Sequence, residues 1–123
     1  MDFFSQNLKY LRTVDSELAK RVALQPFPEN VNIVQSKTGF PVPKIAGIVL
    51  HSQYRPVEEG VKLVADFAFD SNRDTVVYGL GFGYHIQALL QQHVGEVIVV
   101  EPLMSLFRAF MTCMDIRPFL PRV

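Results

Sequence analysis

Apolar side chains recur every three or four residues from Asp2 to Leu24. Phe4, Leu8, Leu11, Val14, Leu18 and Val22 share one face, and Lys9, Arg12, Glu17 and Lys20 fall mostly off it. That spacing predicts a single amphipathic helix. Gln25-Pro26-Phe27-Pro28 ends it, because proline lacks a donor and drives the residue before it into extended geometry. The pattern then shortens. Val31-Asn32-Ile33-Val34 alternates as a strand does, Lys37-Thr38-Gly39-Phe40-Pro41 interrupts it, and Ala46 to Leu50 forms a second apolar run, together predicting a hairpin or meander. Pro41 and Pro43 predict that the stretch between the runs is an edge or a loop. Farther on, Pro56 suits a first helical position, and Glu58 and Glu59 set negative charge on the positive end of the helix dipole. Val57, Val61, Val64 and Ala68 follow at helical spacing, with Phe67 widening their face. Asp70-Ser71-Asn72-Arg73-Asp74 is a polar break.

Beyond it the order is strand, helix, strand, helix. Thr75-Val76-Val77-Tyr78 runs directly into Gly79-Leu80-Gly81-Phe82-Gly83. Tyr84 to His93 reads as a helix with Ile86, Leu89, Leu90 and Val94 inward. Val97-Ile98-Val99-Val100 is a second β-branched run closed by Glu101, and Ser105 to Met114 is a further helix. Nearly continuous apolar strands predict a parallel pair buried on both faces. The fold class is therefore α/β: an incomplete Rossmann-like unit (β-α-β-α) at 73–123, preceded by a small helix-plus-β module at 1–72.

The chemistry concentrates at the end of the first parallel strand. Glycines there permit positive φ and let a ligand approach the backbone without an intervening Cβ. The free amides and dipole of the following helix favour an anion or an electron-rich group. Glu101 ends the next strand 18 residues after Gly83, where a carboxylate can accept from two ribose hydroxyls. The candidate binding residues are Gly79, Gly81, Gly83, Tyr84 and Glu101, with Tyr84 placed to stack on a base or sugar. The plain alternative is a tight turn and a solvated strand end. The GxGxxG fingerprint asks for glycine where Tyr84 stands, which disfavours NAD or FAD. The spacing is closer to that of S-adenosylmethionine-dependent methyltransferases, and nucleotide-sugar enzymes also fit it. No catalytic residue stands out.

Composition narrows the classes. The 123 residues are 49% apolar and 20% charged, with 12 basic side chains against 12 acidic. A chain of this length buries enough surface to need no disulfide or metal. Balanced charge offers no field to recruit nucleic acid or an anionic membrane. Cys113 is alone and cannot form an intramolecular disulfide, and a lone thiol fits a reducing compartment. No apolar run approaches the roughly 18–20 residues of a membrane helix, and the N-terminus is not a secretory signal. A cytoplasmic location is expected. His51, His85 and His93 lack the convergent spacing of a metal site. His85 stands near enough to the glycine loop to touch a ligand, although a helix-end hydrogen bond is its commoner role. Cys113, beside Phe107, Phe110 and Met111, reads as a small buried hydrophobe.

Two blocks carry a family resemblance. Leu50-His51-Ser52-Gln53-Tyr54-Arg55-Pro56-Val57-Glu58-Glu59 resembles the HS-x-Y-x-P-x-x-E block of the motility-associated factor family. Val77 to His85 with Val99-Val100-Glu101-Pro102 resembles its glycine-rich core. Archaeal 6-hydroxymethylpterin diphosphokinases resemble the same superfamily. Arg55 stands where the family often has an acid, and Gly60 where alanine is common. The resemblance spans about Val31 to Val123. It implies a Rossmann-like domain related to sialyltransferases, and transfer of nonulosonic sugars from CMP donors onto flagellin serines and threonines. It further implies that this stretch is the N-terminal fragment of a longer glycosyltransferase-like enzyme, inactive alone. The apolar run Val97 to Val100 and the helix around Phe107, Phe110 and Met111 predict self-association, or edge pairing supplied by the N-terminal module. An S-adenosylmethionine-dependent methyltransferase and a non-catalytic interaction module are the alternatives.

Overall fold

The structure, a computed structural model, describes residues 2–67, 72–92 and 95–119. Ala68, Asp70, Ser71, His93 and Val94 lie outside the described residues. Helices α1 (Phe4–Val14) and α2 (Ser16–Ala23) lead into strands β1 (Val31–Gln35), β2 (Pro41–Ile45) and β3 (Ile48–Val49). Helix α3 (Pro56–Ala65) follows, then β4 (Thr75–Tyr78), α4 (Tyr84–Gln92), β5 (Val97–Val100) and α5 (Met104–Cys113). β1, β2 and β3 form an antiparallel sheet. β4 and β5 pair in parallel, in register from Thr75 opposite Val97 to Tyr78 opposite Val100. The α/β reading and the strand–helix–strand–helix order of the second half hold.

The N-terminal helix is two helices, not one. Asp15 leaves helical geometry (φ −149°) and its carboxylate accepts from the Leu18 amide at 3.1 Å, capping α2. Serine-type caps and aspartate do this because their side chains replace a missing backbone acceptor. Val14, expected on the buried face, is exposed at the break. Helix α1 docks on α5 through Asn7, which is fully buried. Its Nδ2 donates to the carbonyls of Met111 (2.7 Å) and Met114 (2.6 Å), and its Oδ1 accepts from the Ile116 amide (3.1 Å). The Arg108 guanidinium lies 3.5 Å from the Phe4 ring centroid and donates to the Gln25 carbonyl. Val22 and Leu11 share a single buried cluster with Phe82, Ile86, Val97 and Phe110. Packing is thus continuous across position 72.

Pro41 and Pro43 stand in β2, the central strand of its sheet, rather than on an edge or in a loop. The Phe40 carbonyl accepts from Ser36 on the β1 side, whereas the Pro43 carbonyl accepts from Leu50 on the β3 side. Alternation therefore turns the missing proline donors toward β3, which is two residues long and pairs only with Lys44 and Ile45. Little ladder is lost there.

Helix α3 buries Pro56, Gly60 and Val64; of the expected stripe Val64 is buried and Val57 partly so, whereas Val61 and Phe67 are exposed. Gly60 sets this rotation. A Cβ on it would lie 2.6 Å from the Tyr84 carbonyl oxygen and 2.9 Å from the His85 amide nitrogen, so α3 and α4 touch backbone to backbone. Gly60→Ala is expected to lower stability by about 1–3 kcal/mol, as overpacking does. Urea denaturation would show this as a lower midpoint at unchanged slope; an unaltered midpoint would mean that α3 slides to make room.

Among the described residues, the parallel pair is covered on one face only. Val97 is buried and Thr75, Val77 and Val99 are partly so. Val76 (64%) and Tyr78 (75%), with Ile98 and Val100, are exposed. The expectation of burial on both faces is corrected: among the described residues, the apolar runs Val76–Tyr78 and Ile98–Val100 alternate between the core and an open side.

Candidate functional site

Strands β4 and β5 end together, and the turn Gly79 to Gly83 meets Glu101 at their C-terminal tips. Every amide of the turn is paired within the protein. Gly79 donates to the Val100 carbonyl (2.7 Å) and Gly83 to that of Leu80 (2.8 Å). Leu80 and Gly81 donate to Glu101 Oε1 at 2.9 and 3.4 Å, and Phe82 donates to His51 Nε2 at 2.9 Å. The turn itself therefore leaves no amide free for a ligand. An anion seated here would have to displace Glu101 and His51, and it would meet a carboxylate.

Glu101 Oε2 also accepts from the Leu103 amide at 3.1 Å. A carboxylate offers about four lone-pair sites, and three are in use. The residue can take one hydroxyl donor as it stands. Taking two ribose hydroxyls, as the sequence led one to expect, requires release of the long Gly81 contact.

The three glycines separate by surroundings. A Cβ on Gly81 (φ +55°) would fall 2.5 Å from His51 Nε2, and one on Gly83 (φ +78°) would fall 2.7 Å from the Phe119 ring. Both close the turn onto the protein. Gly79 (φ +103°) has open space where its Cβ would be, so it is the position at which a ligand can reach the backbone. Tyr84 does not join them. It is 2% exposed, and its hydroxyl donates to the Pro41 carbonyl, tying α4 to β2. Burial pushes its pKa well above the ordinary phenol value. The expectation that Tyr84 stacks on a base or sugar is thus corrected: its ring is spent on the core, edge-on to His51 and Phe40.

Sequence reasoning missed His51, whereas the hydrogen-bonding role at the helix end expected of His85 is the one it has. His85 Nε2 lies 2.9 Å from the Gly79 carbonyl oxygen and must donate to it. His51 accepts at Nε2, so its proton is on Nδ1. Burial, reinforced by the nearby His85, lowers the His51 pKa to about 4, which keeps the ring neutral. The chain delivers it by a locked turn. Ser52 Oγ accepts from the amides of Tyr54 and Arg55, both at 3.1 Å, and Glu59 accepts from the Ser52 amide at 3.0 Å. The histidine, serine and glutamate of the first sequence block thus act together on the second block. That coupling of blocks was the available signal.

Beside Glu101 opens an apolar groove of about 350 Å³, lined in part by Leu80, Val99, Met104, Phe107 and Phe110. Cys113 sits partly buried on α5, where burial raises its thiol pKa. Among the described residues, no helix is long and apolar enough to cross a membrane.

Known proteins resemble this chain in sequence and in fold. The chain is 28% identical to an uncharacterised protein of Treponema pallidum (strain Nichols), over 96% of this chain and 44% of that protein. The solved Maf glycosyltransferase from Magnetospirillum magneticum AMB-1 superposes with a TM-score of 0.73 at 17% identity, over 96% of this chain and 25% of that one. This chain therefore spans less than half the length of either. The family model of the glycosyltransferase Maf N-terminal domain matches residues 48–123, from β3 through the glycine turn and α5, and the chain belongs to that family.

Proposed function

We propose that the glycine-turn end of β4 and β5 recognises the ribose of a nucleotide-sugar donor, with Glu101 accepting a hydroxyl and Gly79 offering open backbone. The reading places the chain as the nucleotide-recognising N-terminal portion of an enzyme that moves a sugar, a CMP-linked nonulosonic acid, onto flagellin side chains. The observation that carries it is Glu101 itself. Its carboxylate is fixed by three backbone amides at the mouth of an apolar groove, with acceptor capacity left. The filled turn supports ribose over phosphate as the group recognised there. Family membership favours a glycosyltransferase over the methyltransferase that glycine spacing alone allowed.

Calorimetric titration with CMP, and with S-adenosylmethionine in parallel, tests this. CMP should bind and S-adenosylmethionine should not. Glu101→Gln should weaken CMP by roughly ten- to a hundredfold, since hydrogen bonds to charged groups are worth about 1.5–3 kcal/mol. Equal CMP affinity in a folded variant would remove Glu101 from the site.

A further inference from the structure

We infer that His51 is a positioning residue of this site: its imidazole holds the Phe82 amide and so fixes the turn that presents Gly79 and Glu101. The inference builds on the ribose reading, though its geometry is independent of any ligand. The turn is gripped from three sides. Glu101, just after β5, accepts from the Leu80 and Gly81 amides, His85 on α4 donates to the Gly79 carbonyl, and His51, in the segment before α3, accepts from the Phe82 amide. Without His51, Phe82 would carry a partly buried donor with no acceptor, and the turn would relax to find water or another carbonyl. Glu101 would move with it, because two of its three donors lie in that turn.

The fit between His51 and the turn is close. Only a glycine at 81 leaves room for Nε2, given the 2.5 Å separation a Cβ there would have. The ring stands edge-on to Tyr84 with centroids 5.1 Å apart, and its centroid is 6.0 Å from that of His85. The backbone behind His51 is braced as well. Lys37 donates to the Gln53 carbonyl at 2.9 Å, in addition to the Ser52 and Glu59 bonds of the turn. A segment 30 residues upstream of the glycines is therefore built to deliver one lone pair to one amide. A histidine present merely to fill space would need neither a fixed tautomer nor this bracing.

Protonation would abolish the lone pair. The titratable groups set about His51 are His85 and Tyr84 on α4, Glu59 on α3 and Glu101 after β5. The last two are bonded to the amides of Ser52 and of Leu80 and Gly81, respectively.

Nitrogen-15 NMR on the 123-residue chain, with CMP as the probe ligand, tests the role. Wild type should show a His51 ring protonated at Nδ1 and bare at Nε2, a scalar coupling from Nε2 to the Phe82 amide, and slow exchange of that amide. Slow exchange should vanish in step with His51 protonation near pH 4. His51→Gln, which keeps an acceptor at similar reach, should preserve Phe82 protection and hold CMP affinity within a few-fold. His51→Phe should speed Phe82 exchange and weaken CMP by about tenfold, the scale of one neutral hydrogen bond, while β5 amides stay protected. Unchanged Phe82 exchange in His51→Phe, or a His51 ring protonated at Nε2 in wild type, overturns the inference. If wild type ignores CMP while the Phe82 signature and its loss in His51→Phe are intact, the ribose reading fails and the positioning of the turn by His51 stands.

Discussion

Asn7→Leu should cost the fold about 3–5 kcal/mol, in the exceptional range for a single substitution. The side chain is fully buried and satisfies two carbonyls and one amide at the end of α5. Leucine fills the space but strands all three groups, each worth about 1–3 kcal/mol when buried without a partner. Asn7→Asp should also destabilise, since a carboxylate cannot donate to the Met111 and Met114 carbonyls. Denaturant unfolding monitored by circular dichroism would report the loss. A drop below 1 kcal/mol for Asn7→Leu would show that water enters to replace the amide.

Acid should weaken the protein well above the range in which carboxylates titrate. His51 has a folded pKa of about 4 against an ordinary 6.5. As pH falls below 6.5 the unfolded chain takes up the proton first, and stability declines until both states are protonated near pH 4. At about 1.36 kcal/mol per pKa unit, the total is about 3–3.5 kcal/mol. Asp115 acts in a separate window. Its hydrogen bonds to Arg117 lower its pKa from 3.8, so its contribution is present above that value and is lost only at lower pH. Thermal melts between pH 4 and 7 should slope in wild type and flatten in His51→Gln; parallel slopes in the two proteins would assign the effect to another group.

The strand–helix–strand–helix of the second half was legible because β-branched runs, a glycine turn and a terminal acid agree with one another in chain order. Glu101 and the glycines were found for the same reason. The break at Asp15 was not, although Asp15-Ser16-Glu17 is a helix start, because apolar spacing runs straight through it. Asn7 lies on the same stripe as Phe4, Leu8 and Leu11, and a polar residue amid an apolar face is itself a signal. Its partners at 111, 114 and 116 are supplied by the fold alone. The prolines of β2 depend on which neighbour their missing donors face, a property of register rather than of composition. Tyr84 and His51 exchanged their expected importance for a similar reason: the residue beside the glycines turns inward, and the one 30 positions earlier reaches the turn.

The bond between Asn7 and Ile116 joins residues 109 positions apart, which sets a schedule on the ribosome. Helix α1 is made well before the surface on α5 against which it docks. At about 5–20 residues per second of synthesis, α1 waits roughly 5–20 s with Leu8 and Leu11 uncovered. During that interval Asn7 has none of its three partners, and the contact closes only once Ile116 has been added.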